Sequence, residues 1–114
     1  MAVDILSQVN LGSVTSTSNG STFNMSRITR KSVFITALTN GSGTGTGSQL
    51  FVNVDASPEG TTWFNLDNKR YESGTATQDD VFSYESHFPF MRTVAIGSNI
   101  GTFNVSTTIV GRGV

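Results

Sequence analysis

Residues 50–66 read LFVNVDASPEGTTWFNL, two runs of alternating apolar side chains around a segment whose residue types suit a tight turn. Ser57 fits position i of a type I turn, Pro58 has its φ preset for i+1, and Gly60 fits i+3. Pairing Ser57 with Gly60 sets Val54 opposite Trp63 on one face and Asn53 opposite Phe64 on the other, because strand side chains alternate with a period of two. The segment is predicted as a β-hairpin with Trp63 on its core face.

The flanking sequence continues in the same style. Residues 32–38 place Val33, Ile35 and Ala37 on one face and Phe34, Thr36 and Leu38 on the other. A run apolar on both faces predicts a central strand packed on both sides, or one that also meets a partner. Residues 22–28 alternate weakly, and residues 81–85 put Phe82 and Tyr84 on one side. Residues 90–96 and 102–110 predict a second hairpin about residues 97–101, with Phe103, Val105, Thr107 and Ile109 sharing a face. The apolar residues of 3–14 hold no single period. They predict an extended arm over residues 1–10 that becomes a strand near residues 11–15. Turn clusters at residues 16–20 and 40–48 separate the runs. Residues 67–77 form a longer polar connection that would leave Tyr71 exposed. About eight short strands predict an all-β, antiparallel two-sheet sandwich, jelly-roll-like, in a single domain spanning residues 1–114.

Composition agrees with strands and turns. Only 13% of the residues are charged, where about 25% is usual. Ser (15), Thr (16) and Gly (12) make up the difference. Thr fits a half-exposed pleated surface and Gly supplies positive φ, whereas periodic helix formers are missing. The net charge of −1 creates no field for nucleic acid or an anionic membrane, so neither is expected as a partner. With no cysteine there is no disulfide framework or thiolate metal site. The start, MAVDILSQVN, carries no basic region followed by a long apolar run, so synthesis in the cytoplasm without a signal peptide is expected.

Catalytic constellations are hard to find. His87 is the lone histidine and stands in an aromatic stretch, where an imidazole is a packed or surface residue more often than a ligand. Asp79 and Asp80 point to opposite faces if they lie in a strand, so they read as solvated acids and not as a cation site. Residues 41–48 do not satisfy G-x-G-x-x-G and lead into a strand, so they offer no helix N-terminus for a phosphate. No nucleophile elbow of the form G-x-S-x-G occurs. No enzyme activity, metal or cofactor is expected. Arg27, Arg30 and Lys31 make the one basic cluster, a solvated strand end or a contact for a partner.

Three segments together carry a resemblance: VNVDASPEGTTWFNL, PFMRTVAIG and GTFNVSTTIV. Their order resembles small β-sandwich virion proteins of tailed bacteriophages. In these, a strand ends in a D/E-x-S-x-D/E-G-T-x-W turn, and a later strand carries a central arginine. Here the turn runs from Asp55 to Trp63 and the arginine is Arg92. The resemblance covers roughly residues 48–111 and implies a structural protein of the virion. The capsid decoration (cement) type would bind the major capsid protein and copies of itself, as a trimer or dimer on the shell. Val3, Ile5, Leu6 and Val9 of the arm are then candidate contact residues, by adding a strand to a neighbour or by folding back into the sandwich. Arg27, Arg30, Lys31 and Tyr71 complete the candidate contacts. The alternative is a carbohydrate- or receptor-binding module of a tail or baseplate, with Tyr71 as a sugar platform.

Overall fold

The computed structural model describes residues 5–14, 18–39, 49–72, 78–86, 88–98 and 103–113. Its strands are β1 (Ile5–Val14), β2 (Ser18–Asn19), β3 (Phe23–Asn24), β4 (Arg30–Thr39), β5 (Gln49–Ser57), β6 (Phe64–Glu72), β7 (Gln78–Tyr84), β8 (Phe90–Ser98) and β9 (Phe103–Arg112). All pairings among them are antiparallel, in two sheets ordered β1-β9-β4-β7 and β2-β8-β5-β6, with β3 following β2 along the same edge of β8. Taking β2 and β3 as one interrupted edge strand, each consecutive pair except β5 and β6 changes sheet. That order is a jelly roll, as the composition and strand spacing led one to expect.

The core lies between the sheets. β4 contributes Val33, Ile35 and Ala37, β5 contributes Leu50, Val52, Val54 and Ala56, and β9 contributes Val105 and Ile109. Two-residue alternation sends these side chains inward together, as predicted for residues 32–38 and 103–109. β4 is central, but it is packed on one face only, for Phe34 on the other face is exposed.

Four sequence expectations are corrected. First, β8 and β9 form no hairpin: β8 pairs with β5 while β9 lies between β1 and β4. Their inward faces meet across the core instead, with the Thr93 and Thr107 hydroxyls 2.7 Å apart. Second, the arm of residues 1–10 is, from Ile5 onward, an edge strand of the chain's own sheet, with Ile5 opposite Arg112 and Val9 opposite Thr108. Its lost periodicity has a structural cause. The register shifts between Val9 and Leu11, so Asn10 is an extra residue and both Asn10 and Leu11 turn inward.

Third, the hairpin register differs. Val54 faces Asp67, not Trp63, and Ala56 faces Phe64. A six-residue loop separates β5 from β6, and Leu66 is bulged out of register between Asn65 and Asp67. The loop is held by its own polar groups. The Ser57 hydroxyl accepts from the Gly60 amide at 2.8 Å and donates to Glu59 Oε1 at 2.9 Å. That carboxylate accepts from the Thr61 and Thr62 amides, which with the Ser57 bond holds its pKa below the usual range. Gly60 sits at φ 90°, where a side chain is strained. Trp63 therefore falls outside the strands. Its ring lies under the Arg92 guanidinium at 4.3 Å, and Arg92 Nε is 3.6 Å from Asp55 Oδ2. The residues that carry the phage resemblance thus meet in space as a clamp that fastens the loop to β8. Fourth, Tyr71 belongs to β6 and is buried.

Asn10 holds the sheets together at the β1 side. Its Oδ1 accepts from the Thr93 amide and the Thr93 hydroxyl, each at 2.7 Å, and its Nδ2 donates to the Ser21 carbonyl at 2.8 Å. Since the Thr93 proton is committed to Asn10, Thr107 donates to Thr93 and in turn accepts from the Leu11 amide at 3.0 Å. Gly20 passes so close that a Cβ there would lie 1.8 Å from Asn10 Oδ1. Replacing Asn10 by Ala orphans a buried amide and a buried hydroxyl. With about 1–3 kcal/mol for each unsatisfied group, the expected loss in urea unfolding is about 2–6 kcal/mol. Asn24→Ala removes only an exposed bond to the Ser26 amide and is expected to cost under about 1 kcal/mol.

Candidate interaction surface

The outer face of the four-stranded sheet collects what the core leaves out. Its strand register aligns Val9, Thr108, Phe34 and Val81 side by side across β1, β9, β4 and β7. The next row holds Ser7, Val110, Ser32 and Ser83, and beyond it Ile5 faces Arg112 and Arg30. Ile5 is 78% exposed, Val9 61%, Val81 52% and Phe34 47%. Large apolar side chains gathered on one exposed face make it the candidate interaction surface. At the Arg30 end the face dips into a depression of about 530 Å³, whose lining includes Ile5, Arg30, Glu85 and Arg112.

The residues predicted from sequence divide. Ile5 and Val9 point outward on β1, while Leu6 is half-buried and packs against the core. Val3 lies outside the described residues, as do His87 and the loop at residues 40–48. Arg30 is on the outer face, 3.7 Å from Glu85. Both partners are mostly exposed, so this pair is worth about 0–1 kcal/mol. Arg27 is exposed in the turn before β4.

Lys31 is not at the surface with them. Strand alternation sends it to the opposite face from Arg30, where Nζ donates to the Ser86 carbonyl at 2.6 Å and lies 5.1 Å from the Phe88 ring centre. Burial lowers its pKa. The basic cluster is therefore split by the two-residue period, which three adjacent cations in a sequence conceal. Phe34 and Val81 were not among the predicted contacts. The signal for Phe34 was present in the two-faced apolarity of residues 32–38. Val81 becomes significant only through its register with Phe34.

Tyr71 provides no sugar platform. Its hydroxyl donates to Asp80 at 2.8 Å, and in the reciprocal arrangement the Tyr84 hydroxyl donates to Asp67. The two bonds link β6 of one sheet to β7 of the other and close that side of the sandwich. Lys69 and Asp80 add an ion pair at 3.9 Å. Desolvation, then the carboxylate bond and its charge, raises both phenol pKa values far above the ordinary value.

Among the described residues no group of three His, Cys, Asp or Glu side chains is arranged to hold a metal ion. Among the described residues no helix is long and apolar enough to cross a membrane.

Comparison with known proteins is consistent with this geometry at the level of the fold. No protein family matches the sequence, and no curated protein matches it. Among solved structures the chain is similar to the crystal structure of SPBc2 prophage-derived protein YomS. The match has a TM-score of 0.64 at 13% identity and covers 99% of this chain and 96% of that one. The chain is a jelly-roll β-sandwich, and a prophage-derived protein shares its fold.

The tyrosine bonds make stability depend on alkaline pH. An unfolded phenol titrates near 10, while in the fold both phenols stay protonated to higher pH. Their contribution is complete below about pH 10 and is lost as pH rises through the raised folded values. The melting temperature is expected to fall above about pH 10. A Tyr71→Phe/Tyr84→Phe double variant is expected to melt lower at neutral pH but to lose less between pH 9 and 11.

Proposed function

We propose that this chain is a non-enzymatic structural protein of a phage particle, of the capsid decoration type, that binds the outer surface of the shell and stabilises it. The observation that carries this reading is the β1 edge. Among the described residues β1 pairs with β9 on one side only, so its other side is a sheet edge with no strand beside it, next to the exposed Ile5 and Val9. An open edge of this kind accepts a strand from a neighbour, and the apolar side chains add burial to the pairing. Attachment at many equivalent lattice positions lets weak contacts sum and stabilises the assembled state by mass action. The fold shared with a prophage-derived protein and the Asp55–Arg92–Trp63 clamp of the phage-type turn support the virion setting.

The glycan-binding alternative rested on Tyr71, and with that ring in the core it has no support from this residue.

The test is co-sedimentation with empty shells of the phage that encodes the chain. Removing residues 2–10 would delete Asn10 and uncover β9, so point changes are the proper probe. The wild type is expected to pellet with shells. An Ile5→Glu/Ser7→Glu variant, altered at two exposed positions, is expected to stay in the supernatant with its melting temperature kept. Wild-type protein that ignores the shells removes the reading, and full attachment by the variant removes β1 from it.

A further inference from the structure

The first residues of β1 border a depression on each face of their sheet. On the outer face it is the one of about 530 Å³ that Ile5 shares with Arg30, Glu85 and Arg112. On the side of Leu6 a second, of about 360 Å³, is bordered by Asn24, Ser26, Arg27 and Ile28. Four cations (Arg27, Arg30, Lys31 and Arg112) and one carboxylate (Glu85) line the two, an excess of three positive charges among the described residues of a chain whose net charge is −1. Counting Asp4, which precedes Ile5 in the sequence, the excess is still two. The charge is also placed toward the edge. Glu85 lies 3.7 Å from Arg30, whereas Arg112 stands in register between Arg30 and Ile5.

We propose that the segment accepted by the β1 edge is acidic: an extended stretch of the shell protein that sets carboxylate side chains beside Ile5 and Leu6 and an apolar side chain beside Val9. This rests on the shell-binding reading and adds the chemistry of the partner. An added strand sends successive side chains to opposite faces of the sheet. Beside Ile5 and Leu6, consecutive side chains therefore enter one depression each, and each depression holds an arginine, Arg112 on the outer face and Arg27 on the other. Beside Val9 the outward side chain instead lengthens the row of Val9, Thr108, Phe34 and Val81, which carries no charge.

Reach and charge agree. A residue across from Ile5 stands two strand spacings, about 10 Å, from Arg112, a gap that an arginine and a glutamate close by reaching toward each other over Ile5. A basic segment would set like charges together at the same place. Exposed ion pairs are individually weak and are screened by salt. They select the segment and its register, while backbone pairing and apolar burial hold it.

Co-sedimentation with empty shells, followed as bound fraction against protein concentration, reads the charge. Wild-type attachment is expected to weaken about tenfold between about 0.05 M and about 0.5 M NaCl. Arg112→Glu and Arg27→Glu are each expected to weaken it about tenfold at low salt. Arg70→Glu, the same charge change at an exposed site on the other sheet, is expected to leave it unchanged, and thermal unfolding checks each fold. Arg112→Lys places an amine opposite Ile5. Treated with a carbodiimide on the shells, it is expected to gain a crosslink, missing from the wild type, to an aspartate or glutamate of the shell protein. Wild-type protein that ignores the shells removes the shell-binding reading and the acidic partner with it. Attachment that salt and both arginine reversals leave intact overturns the acidic partner alone, whatever the Ile5→Glu/Ser7→Glu variant does. So does an Arg112→Lys variant that gains no crosslink, or one only to a second copy of this chain.

Discussion

The interaction on which this sandwich depends is a small buried polar chain: Leu11 amide to Thr107 hydroxyl, Thr107 to Thr93, Thr93 to Asn10, and Asn10 to Ser21. Two sheets of aliphatic side chains could slide over one another with little change in buried area. A hydrogen-bonded chain cannot, because every displacement leaves a donor or acceptor unpaired in a dry interior. Asn10 and Leu11 from β1, Thr107 from β9 and Thr93 from β8 set the relative position of the sheets. The bulge at Asn10 exists because an amide side chain is needed inside at a place where strand alternation would have put it outside.

The two flanks of the sandwich are finished differently. On the β6–β7 flank, tyrosines and aspartates bond across the gap in both directions, and a lysine adds its charge. Among the described residues β1 is the end strand of its sheet and carries the exposed Ile5 and Val9, and the sheet face beside it carries Phe34 and Val81. Sealed and open surfaces are thus segregated.

Much of the architecture was legible in residue order. The inward sets Val33, Ile35, Ala37 and Val105, Thr107, Ile109 follow from period two, and the turn chemistry of Ser57 to Gly60 marks the end of β5. The candidate surface was half legible: Ile5 and Val9 were evident as apolar residues without a consistent period, and Phe34 as the second face of a two-faced strand. Lys31 and Tyr71 were misplaced for the same reason. Side-chain type shows what a residue prefers, while its burial depends on which strand lies opposite and on which side of the pleat it falls. The hairpin register failed at Trp63 because a loop tied by Ser57 and Glu59 and a bulge at Leu66 shift the pairing by a distance that turn residues alone do not encode.

Local chemistry, then, determined strands, turns and their alternation, because these depend on backbone preferences and on neighbours two residues away. Only tertiary structure decided that β8 and β9 oppose each other across the core, that β1 pairs with β9, and that Val9, Phe34 and Val81 share a row. Each of these joins residues remote in the chain, through pairings of which every strand has several that satisfy the same alternation. The choice among them is made by the buried bonds of Asn10, Thr93 and Thr107, which are satisfied in one arrangement of the sheets.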